Sequence, residues 1–149
     1  MATRDELYVK FGIAAEAAQL FETDLGSLLL CARGLERGWH HEVDPEDARK
    51  LLDHIDRSTL GQLLGILKNC VSLDYGLVDR FASAPEARNR LFHRFYESHG
   101  FKIQTDEGRD AMVADLEVLH GELFNAWQAA SKMTAVATAF LLEAKREQE

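Results

Sequence analysis

Arg88, Asn89 and His93 place a cation, an amide and an imidazole within two turns of one stretch of chain. A guanidinium grips a phosphate through two parallel N–H bonds, an imidazole exchanges a proton near neutral pH, and an amide can orient either partner. At about 100° per residue, Leu91, Phe92 and Phe95 make the apolar face of the helix that carries them, and Arg88 falls near its middle. An unpaired guanidinium there would cost several kcal/mol, so Arg88 must meet a carboxylate, a phosphate, or a wet cleft at a subunit boundary. Asn89, His93 and Tyr96, at i, i+4 and i+7, form the flank beside Arg88, and Glu97 stands four residues past His93, in reach of its ring.

Charge is concentrated in the same stretch. The chain carries 17 Lys+Arg against 25 Asp+Glu, a formal charge of −8, which argues against a basic coat for nucleic acid or an anionic membrane surface. Between Arg80 and Lys102, however, five basic residues face two acids, giving +3 and leaving −11 elsewhere. Arg90 and Arg94 are therefore candidates to hold substrate, with Tyr96 beside them. The competing explanation is a helix docked by ordinary ion pairs against acidic neighbours.

The elements that must position these residues read as helices. Only two prolines, long 3.6-residue periodicities and no sustained alternation predict an all-α, up-and-down bundle of four to five helices in one domain spanning 1–149. The first helix is expected over Arg4 to Ala32, with Thr3 and Glu6 as a capping box and Gly34 and Gly38 ending it. Asp44-Pro45 opens a second that runs through Ile55, and Ser58 or Thr59 recaps a segment to Asn69. A third region, Asp74 to His99, breaks at Pro85, where a fresh helix starts near Ala84, capped by Ser83 with Glu86 reaching back, and stops at Gly100. Thr105 opens a long last helix whose Met112, Leu116, Leu119, Leu123, Ala126, Ala130, Met133, Ala137 and Phe140 form a heptad seam, for the bundle core or a dimer contact.

The run Arg88-Asn89-Arg90-Leu91-Phe92-His93 resembles the Arg-polar-x-x-x-His signature of the HEPN superfamily, short helical domains of which many are metal-independent RNases acting as toxins or in antiviral defence. The Arg-x4-His spacing also occurs at Arg49/His54 and Arg94/His99, but only Arg88 is followed by Asn. The resemblance implies an endoribonuclease with Arg88, Asn89 and His93 as catalytic residues, 2′,3′-cyclic phosphate and 5′-hydroxyl products, and a homodimer facing two motifs across a cleft, which would supply a second His93. It also implies a toxin-antitoxin or defence setting with a cognate antitoxin protein. Members modified by their antitoxin carry Tyr two residues beyond the His. Here that position is Phe95 and the Tyr is Tyr96, so regulation by tyrosine nucleotidylation is not expected.

Other residues point to less. Cys31 and Cys70 lack ligand spacing and are expected as reduced, buried thiols, with no metal and no cofactor. Glu117-x-x-His120 has no second copy for a di-iron bundle, His40-His41-Glu42 reads as a surface turn, and Gly61 and Gly65 as a close helix approach. The acidic amino terminus and the lack of a long apolar run predict a cytoplasmic chain without a membrane span. The alternative to the nuclease is a non-catalytic dimeric helical module binding a nucleotide or partner protein.

Overall fold

The computed structural model describes residues 1–70 and 75–148. Among these it is all-helical: α1 (Arg4–Glu36), α2 (Pro45–Arg57), α3 (Leu60–Cys70), α4 (Tyr75–Ala82), α5 (Ala84–Asn89), a π-helical turn (Arg90–Arg94), α6 (Phe95–His99), a 3-10 turn (Gly100–Gln104) and α7 (Asp106–Arg146). Asp74, where the third region was expected to open, lies outside the described residues. No helix is long and apolar enough to cross a membrane, among the described residues.

The helices make five passes. α2 returns along α1, with Arg37 on Asp47 at 2.8 Å at one end and Ile55 beside Gly26 at the other. The stretch from α4 to α6 also runs against α1, since Phe81 stacks on Phe21, Arg88 meets Glu22 and Phe95 lies 5.9 Å from Phe11. α7 then runs parallel to α1. The Ala2 amide donates to Asp110 at 2.6 Å, Lys10 pairs with Glu117 at 3.4 Å, and the Trp127 indole donates to Asp24 at 2.8 Å, in step along both helices.

Local signals explain most helix starts. Thr3 and Glu6 form the reciprocal capping box, Asp44 accepts from the Asp47 amide, Thr59 exchanges bonds with Gln62, and Thr105 accepts from the Gly108 amide. Ser83 is different: its backbone is already helical and its side chain caps nothing, so α4 bends into α5 instead of restarting from an extended residue. α1 continues past Ala32 through Gly34, whose missing side chain makes room for the Trp39 ring, 2.8 Å from where a Cβ would be, and the reversal waits for Gly38 at φ 72°. Gly61 and Gly65 are exposed, and a Cβ on either would meet nothing within 4 Å, so they mark no close approach.

The core combines Leu7, Ala14, Phe21, Leu25 and Leu29 of α1 with Met112, Leu116, Leu119, Leu123, Ala126 and Ala130 of α7, closed by Leu67, Phe81, Leu91 and Phe95. The seam of α7 is thus core as far as Ala130. Beyond it Met133 and Ala137 are half-buried and Phe140 is 62% exposed.

Candidate functional site

The motif sits on α5, the π-helical turn and α6. Its buried face is Ala84, Ala87, Leu91 and Phe95, which pack into the core. Phe92 lies outside that face and is exposed, which corrects the expected apolar stripe, and Arg88 stands at its edge, half-buried. The carboxylate that Arg88 requires is Glu22 of α1, bonded to the guanidinium Nε, and the guanidinium carbon lies 5.3 Å from the centre of the Phe92 ring.

Glu22 and Phe92 fix Arg88 without using it up. A guanidinium has five N–H donors, and the four on its two terminal nitrogens bond to no protein atom among the described residues. Arg88 borders a cleft of about 540 Å³ whose other walls are Glu22, Thr23, Gly26 and Ser27 of α1 and the α2–α3 elbow from Leu52 to Leu63. Of the six predicted site residues it is the one that reaches this cleft.

His93 is exposed and makes no hydrogen bond or ion pair among the described residues, so the expected clasp by Glu97 does not form. Asn89 is exposed too. Arg88 and His93 would stand about 140° apart on a regular α-helix, on divergent sides. The π-helical turn over Arg90–Arg94 narrows that angle, because i→i+5 hydrogen bonding turns the chain by less per residue than an α-helix does. Its last residue takes up the mismatch, Arg94 having φ −130° before α6 resumes. Arg49 and His54, with the same spacing, lie on the uninterrupted α2.

Arg90 is tied to the protein through one terminal nitrogen, Nη2. It bonds both oxygens of Asp115 at 2.9 and 3.1 Å, and His99 bonds the same carboxylate at 2.8 Å. An ionised carboxylate only accepts, so His99 donates from Nε2, and its Nδ1 is buried without a partner. Burial alone would push the Asp115 carboxyl up, but the hydrogen bonds from His99 and Arg90, reinforced by their charge, hold it below the usual carboxylate range. The pair Arg94/His99 is therefore split, His99 serving the core edge and Arg94 solvent. Tyr96 lies 5.5 Å from Phe11, and burial first, then neighbouring Tyr8, pushes its phenol up, so it stays a hydrogen-bond donor at neutral pH.

The remaining candidates are structural. Glu117 faces Lys10, and the His120 ring lies 5.5 Å from Phe124. Cys31 and Cys70 are free and half-buried. Two contributors were missed in the sequence, Glu22 and Asp115. The need for a carboxylate at Arg88 was readable, but Glu22 is one of 25 acids and nothing in its neighbourhood singles it out. In comparison with known proteins, no family model matches the chain, and neither does any curated protein or solved structure.

Proposed function

We propose that the chain is a HEPN-like metal-independent endoribonuclease, acting as a toxin or defence effector. The observation that carries this reading is the π-helical turn over Arg90–Arg94, which contains His93 and narrows the angle at which a regular helix would set it from Arg88. The open edge of Arg88 supports it, being the bidentate donor set a phosphate requires. In the reaction the substrate's 2′-hydroxyl attacks its own phosphorus, the O2′–P bond forms, the P–O5′ bond breaks, and a 2′,3′-cyclic phosphate and a 5′-hydroxyl result. His93 takes the 2′ proton or gives one to the leaving oxygen, a role worth about 10²–10⁴-fold, and Arg88 stabilises the charge on phosphorus. Asn89 orients the phosphate or the imidazole. A homodimer supplies the second His93 for the other proton transfer, and a cognate antitoxin protein restrains the activity.

One observation favours the non-catalytic module: the Glu22–Arg88 pair explains an arginine at the edge of the core without any substrate. Incubating the purified protein with RNA in EDTA decides between them. Cleavage by wild type, lost by at least 100-fold in both His93→Ala and Arg88→Ala, is the expected result. No cleavage, or equal cleavage by all three, overturns the nuclease. A solution mass of twice 16.8 kDa is expected alongside it, and a 16.8 kDa monomer that still cleaves would remove the shared His93 from the mechanism.

A further inference from the structure

The cleft beside Arg88 has a lining that neither packing nor the motif explains. It carries two cations, Arg57 and Arg88, two carboxylates, Glu22 and Asp56, and the hydroxyl residues Thr23, Ser27, Ser58 and Thr59. Glu22 is already bound to Arg88. The Ser27 hydroxyl turns to the Thr23 carbonyl, the Ser58 hydroxyl to the His54 carbonyl, and the Thr59 oxygen accepts from Gln62. Arg57 and Asp56 pair with nothing among the described residues, and neither does the Thr23 hydroxyl. The open groups are thus one free cation, the open edge of another, one free carboxylate, the Thr23 hydroxyl and the O–H of Thr59. An inorganic anion uses only the cations and is repelled by Asp56, and an apolar ligand leaves every polar group unpaired. A ligand that joins an anion to hydroxyl and amino donors uses them all.

We propose that this cleft is the seat of one ribonucleotide of the substrate strand, a role that rests on the nuclease reading of the motif. The phosphate lies on the terminal nitrogens of Arg88 with Arg57 closing on it from the elbow, and the ribose hydroxyls or base amino group donate to Asp56. About 540 Å³ is within the size range of small-ligand sites. The cleft opens where α2 turns into α3, so the nucleotide is held by three elements, only one of which carries the motif. Arg57 becomes a second phosphate-binding residue on a segment about thirty residues before Arg88.

The experiment measures binding of a ribonucleoside 3′-monophosphate to the full chain by calorimetry, with inorganic phosphate and the uncharged nucleoside as separate arms, and RNA cleavage in parallel. Saturable binding of the nucleotide is expected, weakened about 10- to 100-fold by Arg57→Ala and by Arg88→Ala. Ser27→Trp, a plug at an exposed position of α1, should abolish it, and thermal melts of each variant check the fold. Inorganic phosphate binding as tightly as the nucleotide, or nucleotide binding unchanged in Arg57→Ala and Ser27→Trp, overturns the proposal. The two failures are separable. Arg57-dependent nucleotide binding without RNA cleavage removes the nuclease and keeps the site, whereas cleavage with wild-type KM in Arg57→Ala keeps the nuclease and removes the site.

Discussion

Asp115 holds two of the basic groups that the sequence offered for chemistry. Arg90 and His99 converge on it from the π-helical turn and from the end of α6, which ties the motif stretch to α7. Its depressed pKa sets the sign of a pH effect. A carboxyl whose folded pKa lies below the unfolded value near 3.8 contributes stability that is fully present above that value and is lost as pH falls through the folded one. Asp115→Asn should therefore destabilise the protein by about 1–3 kcal/mol at pH 7, since it strips the charge from the hydrogen bonds of Arg90 and His99, and the gap to wild type should narrow below about pH 4. Urea denaturation of both proteins at pH 7 and pH 3.5 reads the effect, and an equal gap at the two pH values would sink the linkage. None of this was readable from residue types alone. Arg90 looked as suited to a phosphate as Arg88, and only the fold gives one of its terminal nitrogens a carboxylate partner in Asp115.

At the scale of the element, the sequence announced helix starts well and interior irregularity poorly. Thr3, Asp44, Thr59 and Thr105 cap because side-chain oxygens satisfy first-turn amides, a local rule that spacing reveals. The π-helical turn has no comparable local signature. It is not demanded by the core face, since Ala84, Ala87, Leu91 and Phe95 keep the three- and four-residue steps of an ordinary α-helix. This makes it testable by deletion. Removing Arg94 should let α5 and α6 join as one regular helix with Phe95 still inward, leaving thermal stability equal or higher while turning His93 away from Arg88. Cleavage is then expected to fall at least tenfold further than in Arg94→Ala, which loses the side chain and keeps the turn. Equal activity of the two variants would mean that the irregularity has no part in the site. The end of α6 is set separately by Gly100 at φ 53°, and a Cβ at Gly108 would run into the Lys102 carbonyl, so the 3-10 turn can cross the start of α7 only over a glycine.

Across the described residues, the all-helical class, the length of α7 and the absence of a membrane-length apolar helix followed from periodicity, because amphipathic repeats report which face must be buried. What covers the seam past Ala130 did not follow, since a stripe of small and apolar residues looks the same whether a neighbouring helix reaches it or stops short. The distribution of charge leads to a quantitative expectation. An acidic body with cations at one cleft should hold one or two phosphates and repel the rest of a strand, so affinity should hardly grow with RNA length. Each neutralised phosphate of a single strand releases about 0.7 counterion, and contacts by Arg57 and Arg88 predict a slope of log Kobs against log salt between about −1 and −2. Fluorescence anisotropy of a labelled RNA carrying one 2′-deoxy nucleotide at the cleavage position, titrated from low to high salt, measures it. Repulsion from the remaining acids, which salt also screens, can only flatten that slope. A slope of −4 or steeper, or affinity that climbs steadily from three to twelve nucleotides, would require an extended basic track. Three of the exposed cations are already paired with acids, Arg90 with Asp115, Arg37 with Asp47 and Lys10 with Glu117, which shortens any such track.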